Sequence, residues 1–180
     1  MNMLFKPIVI MSALALLGLA STSALAGKVK DSGSFDASYV KKDAQPIPDQ
    51  DMHLLILSDA AGVSKNTGGT GYLDGFSVNV RDFVDLTQGT GPQQGYVIYA
   101  KGSDQQVVKI DGMVTTTMKD GKPNTTFKGK WAVVNAKGAL AGTEGEGTYS
   151  GYFTAEDKYH VDWEGTRSGG KDVAGNSSKK

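Results

Sequence analysis

Short stretches in which apolar and polar residues alternate recur along the chain, and glycine-rich segments separate them. A period of two places the apolar side chains on one face of a β-strand. The clearest case is 71–86, where Phe76, Val78 and Val80 alternate with polar residues. The pattern predicts eight strands, at 34–40, 52–57, 71–86, 95–101, 105–118, 125–134, 148–154 and 159–165.

The stretch 129–153 joins two aromatic strands through a connection that contains four glycines. Glycine costs roughly 1 kcal/mol in a helix relative to alanine, so this density excludes a helix. Within β sequence it marks bulges, or bends where a sheet curls over on itself. At Gly145 and Gly147, just before Tyr149, we therefore expect backbone conformations that are closed to residues with a Cβ atom.

The segments between the strands carry the residues of turns and loops. The prolines in 41–50 predict a loop, and the glycines in 60–70 predict a mobile loop. The segment 87–94 contains glycine and proline and is predicted to be a turn. A β-bulge is expected near Asp82, where the alternation breaks. Asp120-Gly121 is the strongest hairpin signal in the chain.

Eight strands with mostly short connections and no amphipathic helix predict an all-β protein. The fold class that we expect is a single eight-stranded antiparallel β-barrel with a lipocalin-like shape, because closure removes exposed edges. A two-sheet sandwich is the alternative. The barrel is assigned to 27–167, and the polar segment 168–180 is expected to be a disordered tail.

The first 26 residues have the layout of a signal peptide. Lys6 precedes an apolar run over 8–20, and Ala24 and Ala26 form a cleavage signal. The run is short for a membrane helix of about 20 residues, although an uncleaved anchor is the alternative. The expected location is the periplasm or the extracellular space, without stable membrane insertion after cleavage.

Composition narrows the chemistry further. Nineteen basic and nineteen acidic residues without a basic stripe argue against a nucleic-acid partner. The chain has no cysteine and two histidines, so neither a disulfide framework nor a metal centre is expected. Phosphate-binding loops, nucleophile elbows and calcium loops are missing as well, and no cofactor is predicted.

Four segments resemble bacterial secreted proteins with the allene-oxide-cyclase-like barrel, which are related in shape to plant dirigent proteins. The segments are GYVIYAKG (95–102), DGKPNTTFKGKW (120–131), GALAGTEGEGTYSGYF (138–153) and YHVDWEG (159–165). Gly142, Gly145, Gly147 and Tyr149 fit the second half of the glycine-rich turn of those families, whereas 135–137 departs from its start. The resemblance implies an eight-stranded antiparallel barrel and, from the plant members, cofactor-free cyclisation of a fatty-acid epoxide or guided radical coupling. No catalytic residue carries over position by position.

His53 interrupts the most apolar predicted strand, between Met52 and Leu54. One interpretation is a polar group that points into a ligand cavity, where burial would lower its pKa unless a carboxylate such as Glu164 compensates. The other is a histidine that faces the surface.

Five aromatic residues are candidates for an apolar ligand pocket or, equally, for ordinary core packing. They are Tyr96, Tyr99, Trp131, Tyr149 and Trp163. On the last strand, His160, Asp162 and Glu164 share one face, and these carboxylates are either acid/base groups or the solvated outer face.

Three functions are compatible with these sequence features. The first is an exported barrel that binds a small hydrophobic molecule inside or at its mouth. The second is a cofactor-free isomerase or cyclase, and the third is a protein-interaction module with a solid core. A cavity with a buried ionisable group favours catalysis, a cavity without one favours binding, and a filled interior favours the third function.

Overall fold

A computed structural model describes residues 27–170 of the protein. The predicted signal peptide (1–26) and residues 171–180 of the predicted tail lie outside the described residues. The structure confirms the all-β class, and in the described range the one helical element is a 3₁₀ turn, Gly138–Leu140. The strands are β1 Val29–Pro46, β2 His53–Gly68, β3 Ser77–Thr87, β4 Gly91–Lys101, β5 Asp104–Lys119, β6 Lys122–Lys137, β7 Glu144–Ala155 and β8 Lys158–Ser168. Across 27–170 no helix has the length and apolar character needed to cross a membrane.

The eight strands form one closed antiparallel barrel in chain order. Each strand pairs with its sequence neighbour, and β1 pairs with β8, with Phe35 opposite Val161. This last ladder excludes the two-sheet sandwich, in which the first and last strands would not complete a ring.

β1 and β2 are longer than the sequence predicts. The segments 41–50 and 60–70, expected as loops, are largely strand, because the two strands form one long hairpin in which Pro46 lies opposite Leu54. Pro46 is the last residue of β1, where its missing N–H removes no ladder hydrogen bond inside the strand. Pairing with a neighbour therefore overrides the local loop signals.

The expected bulge near Asp82 is wrong. β3 pairs with β2 and with β4 without a register shift, so the alternation continues through Asp82. Asp82 points into the barrel, while the next residue, Phe83, is an apolar residue on the outer wall with 37% exposure. The predicted turn at 87–94 is also shorter than expected, since β4 begins at Gly91.

Inside the barrel, large aromatic rings lie against glycines of the neighbouring strands. A Cβ atom added to Gly147 or Gly165 would collide with Trp131, and one added to Gly129 would lie 2.7 Å from the Tyr149 ring. These residues are cross-strand partners, Gly147 of Trp131 and of Gly165, and Gly129 of Tyr149. The glycines of the aromatic stretch thus make room for the rings that fill the interior.

The backbone angles correct one expectation and confirm another. Neither Gly145 nor Gly147 has a positive φ, and within this connection the left-handed residues are Gly138 (φ 66°) and Gly142 (φ 78°). The Asp120-Gly121 hairpin is confirmed as a two-residue turn with φ 52° and 72°, the signs that a type I′ turn requires.

One end of the barrel, called here the closed end, is covered by the loop after β2. Tyr72, Leu73 and Phe76 of this loop are each no more than 2% exposed. Arg167 Nε donates a hydrogen bond of 2.8 Å to Asp31 Oδ2, and both side chains are 4% exposed. The Arg167 guanidinium also lies 4.3 Å from the centre of the Tyr72 ring, so this ion pair holds the loop in place.

The opposite end, called here the mouth, has an uneven rim. The β1–β8 ladder ends at Ser38–Lys158, whereas the β1–β2 ladder continues to Pro46–Leu54. In the same way the β5–β6 hairpin extends to its turn at 120–121, past the last β6–β7 pair at Thr126. Two hairpins therefore stand beyond the low β7–β8 side of the rim.

We expect Gly147→Ala to lower the free energy of unfolding by about 3 kcal/mol, because its Cβ would collide with the Glu164 carbonyl oxygen and lie 2.7 Å from Trp131 Cε2. Gly145→Ala is the matched control, since its nearest neighbour, the Thr166 oxygen, is 3.0 Å from the added carbon. The control should cost about 1 kcal/mol or less. Urea denaturation of both variants measures the difference, and equal losses would show that the ring–glycine contact is not the constraint.

Candidate functional site

A pocket of about 240 Å³ opens at the mouth, and all eight strands contribute to its wall. Eight of the fourteen wall residues are apolar or aromatic, and six are polar. The apolar and aromatic residues are Ile56, Val84, Leu86, Val114, Phe127, Phe153, Tyr39 and Tyr159, and the polar ones are Lys42, Ser58, Asp82, Gln93, Thr116 and Thr125. This mouth pocket combines apolar surface with polar groups that could orient a ligand, as ligand sites do.

A second, smaller cavity of about 40 Å³ lies deeper, toward the closed end. Four of the predicted pocket aromatics, Tyr99, Trp131, Tyr149 and Trp163, line it and are buried. A volume of this size has room for only a few water molecules. These four aromatics are thus brought together, but around a nearly filled core and not in the mouth pocket.

Asp82 joins a hydrogen-bonded network at the inner end of the mouth pocket. The Ser58 hydroxyl donates to Asp82 Oδ1, and Gln93 Nε2 donates to Asp82 Oδ2 at 2.6 Å. The Tyr149 hydroxyl in turn donates to Gln93 Oε1 at 3.1 Å. Gln93 borders both cavities, so the network forms the layer between them.

The Asp82 carboxylate is buried without a cation. Its exposure is 9%, and none of the ion pairs formed within 27–170 includes it. Burial raises the pKa of Asp82, and the two donors, Ser58 and Gln93, only partly offset this rise. Burial, together with the Asp82 charge, also raises the pKa of Tyr39 to about 12, so Tyr39 stays protonated and able to donate. The arrangement can therefore accept hydrogen bonds or exchange a proton in an apolar pocket.

His53 does not point into the barrel, which corrects its assignment to a cavity. The inward residues of β2 include Ile56 and Ser58, and alternation places His53 on the opposite, outer face. Its Nδ1 lies 2.5 Å from Asp49 Oδ1 and its Nε2 lies 2.6 Å from Asp85 Oδ1. Hydrogen bonds to these two carboxylates raise the pKa of His53, opposite to the lowering expected for a cavity residue.

Tyr96 and Glu164 also lie on the outer wall, so the structure does not bring them to either cavity. Tyr96 is 47% exposed, and Glu164 shares the solvated face of β8 with His160 and Asp162. On that face His160 Nδ1 lies 2.8 Å from an Asp36 oxygen. Outward positions follow from strand alternation, since the inward residues of β8 are its apolar ones.

Of the residues in the polar network, Tyr149 is among the candidates that the sequence indicates, whereas Ser58, Asp82 and Gln93 are not. The sequence pattern assigns Asp82 only to a bulge and Gln93 only to a turn. One signal could have found Asp82, namely its position in the series Phe76, Val78, Val80, where an uninterrupted alternation puts a carboxylate on the inward face.

Within 27–170, no group of three His, Cys, Asp or Glu side chains is placed to hold a metal ion. No family model and no curated protein matches this chain. The barrel and the mouth pocket therefore define the candidate site by their geometry alone, as a concave apolar site with one buried acidic group.

We expect His53 to titrate above 6.5, its ordinary value, because Asp49 and Asp85 both favour the protonated ring. The contacts of protonated His53 with Asp49 and Asp85 stabilise the fold fully below pH 6.5, and this stabilisation is lost as the pH rises through the folded-state pKa. NMR titration of the ring protons measures this pKa, and Asp85→Asn should lower it while Asp162→Asn should not. A wild-type value at or below 6.5 would contradict the contact geometry.

Asp82→Asn should raise the free energy of unfolding at neutral pH by about 1 to 3 kcal/mol, because it removes a buried charge that has no cation. Wild-type stability falls as the pH rises from 3.8, the ordinary value, through the raised folded-state pKa. The wild type and Asp82→Asn should therefore have similar free energies of unfolding at pH values below 3.8. The difference between them should grow as the pH rises. Urea denaturation at several pH values is the measurement, and a variant less stable than wild type at neutral pH would show that the charge is well compensated.

Proposed function

We propose that the protein binds a small hydrophobic molecule in the mouth pocket. The observation that carries the proposal is an open, mainly apolar pocket of about 240 Å³ at the mouth, with a wall built from all eight strands. Apolar walls supply affinity, and one or two polar groups fix the orientation of the ligand. The volume lies just below the roughly 300 Å³ at which drug-sized sites begin, so the ligand is small.

The affinity of such a ligand would come mainly from burial of its own apolar surface against the wall. A ligand that buries roughly 200 Å² of apolar area gains about 5 kcal/mol, before the cost of immobilisation is subtracted. Phe127, Phe153 and Tyr159 form a cluster of rings within 6.1 Å of one another, which gives the pocket one firm aromatic side. The low β7–β8 rim beside these rings offers an entrance.

A cofactor-free isomerase or cyclase is the second candidate, and Asp82 is the observation that favours it. A buried carboxyl group with a raised pKa and the protonated Tyr39 hydroxyl, both in the wall of the mouth pocket, form a suitable acid/base pair. This candidate expects Asp82→Asn to abolish turnover while ligand affinity survives. Chiral chromatography of the products that an unstable fatty-acid epoxide gives with and without the protein is the assay.

The mouth pocket favours binding over a solid-core interaction module, since the interior is not filled at this end.

The allene-oxide-cyclase-like and dirigent-like resemblance, and export to the periplasm or beyond, stay predictions from the sequence. Mass spectrometry of the protein purified from its own host tests both the chain start after Ala26 and a retained small molecule.

Binding of N-phenylnaphthylamine, a neutral fluorescent apolar probe, tests the proposed pocket. We expect a dissociation constant in the micromolar range for the wild type, and at least a tenfold weaker one for Ile56→Trp, about 1.4 kcal/mol, because the indole would fill the pocket. Phe83→Ser is the control, since it removes an exposed ring from the outer wall of the adjacent strand.

Loss of probe binding in Phe83→Ser, with Ile56→Trp unaffected, would place the probe on the outer wall. Absence of binding to the wild type would overturn the proposed function. Circular dichroism of both variants confirms that the barrel has folded in each case.

A further inference from the structure

Asp82 sits where the polar end of a ligand in the mouth pocket would come to rest. It is an inward residue of β3, between Val80, which borders the deeper cavity, and Val84, which borders the mouth pocket. The deeper cavity is too small to admit a ligand, so the layer of Asp82 and Gln93 forms the floor of the mouth pocket. A ligand that enters through the mouth meets this floor with its leading end.

The hydrogen bonds around the floor are all donated toward Asp82, directly or through Gln93. The Tyr149 hydroxyl donates to Gln93, and Gln93 and Ser58 both donate to Asp82. A carboxylate has about four acceptor positions. The two side-chain donors and the Asp82 backbone amide use three of them, so the Asp82 carboxylate can accept one more hydrogen bond. One N–H of Gln93 and the O–H of Tyr149 are already directed at acceptors.

The charged groups near the floor of the mouth pocket are negative. Both Asp82 donors are neutral, and the neighbouring charge that contributes to its raised pKa, that of Asp59, is negative like its own. Among the described residues of the pocket wall the one cationic side chain is Lys42, which is exposed and whose Nζ lies 5.2 Å from the centre of the Tyr39 ring. A cation that entered the pocket would supply the counter-charge that the described residues leave out.

We propose, building on the binding function proposed above, that the ligand is an apolar amine whose protonated nitrogen contacts the Asp82 carboxylate at the floor of the mouth pocket. The ammonium group provides both the hydrogen-bond donors and the positive charge that this floor accepts. A carboxylate-headed molecule of the same shape is disfavoured, because two like charges would meet at the buried Asp82 side chain. Asp82 is then the residue that selects the ligand by its polar end, and the apolar wall accepts the tail.

Three probes with one tail test the proposal, octylamine, octanol and octanoate, each measured at neutral pH by displacement of N-phenylnaphthylamine from the intact barrel. For the wild type we expect octylamine to bind at least tenfold more tightly than octanol, and octanoate to bind most weakly. For Asp82→Asn we expect octylamine to bind at least tenfold more weakly than it binds the wild type, and octanoate to bind more tightly. Asp85→Asn removes a carboxylate from the outer wall and should leave the order of the three probes unchanged.

The outcomes separate this inference from the function on which it rests. If N-phenylnaphthylamine binds but octanoate is equal to or tighter than octylamine, the selection by Asp82 is overturned and the binding function stands. An unchanged preference in Asp82→Asn likewise overturns the selection and leaves the binding function standing. If none of the probes binds the wild type, the binding function itself is overturned. The wild-type order alone decides the question should Asp82→Asn fail to fold.

Discussion

The contact between an inward aromatic ring and an inward glycine on the next strand is the constraint on which this barrel depends. An eight-stranded barrel has an interior just wide enough for side chains, and a ring at every inward position would overfill it. Trp131 and Tyr149 fit because their neighbours Gly147, Gly165 and Gly129 have no Cβ atom. The same contacts nearly fill the half of the interior toward the closed end, where a cavity of about 40 Å³ remains, and the larger open space lies toward the mouth.

The two ends of the barrel differ in how they handle a buried carboxylate. At the closed end Asp31 has Arg167 as its counter-ion and Thr70 as a donor, and the three residues tie the covering loop to β1 and β8. Near the mouth Asp82 has only neutral donors. The ion pair of Asp31 joins three elements of the fold, whereas the burial of Asp82 without a cation among the described residues is expected to lower stability.

Strand periodicity is sufficient to predict the all-β class, since the alternation in β3 and the Asp120-Gly121 turn both reflect local backbone geometry. It places the start of β3 too early, because the predicted strand 71–86 is observed only from Ser77 and residues 71–76 belong to the loop at the closed end. It also leaves the two-sheet sandwich open, because closure depends on the pairing of β1 with β8. It cannot predict strand length, because the β1–β2 hairpin gains its extra pairs from a partner and not from its own residues. The apolar run around His53 suggests a buried strand with a polar group in a cavity. In the structure Leu55 and Leu57 of this run face outward, as His53 does, so an apolar run does not by itself indicate burial. Asp82 escapes prediction because burial of a charge runs against the rule by which inward positions are assigned.

The pairing of β1 with β8 has a consequence for how the protein is made. The ladder joins Val29 to Arg167, the first and last strands of the barrel. While the chain is still being synthesised, β1 has one neighbour, and the backbone groups on its other edge are open to any strand they meet. Contacts this distant in sequence form late, after the local hairpins. Until β8 pairs with β1, the other seven strands can form only an open sheet with its aromatic face accessible, and that pairing converts the sheet into a ring without edges.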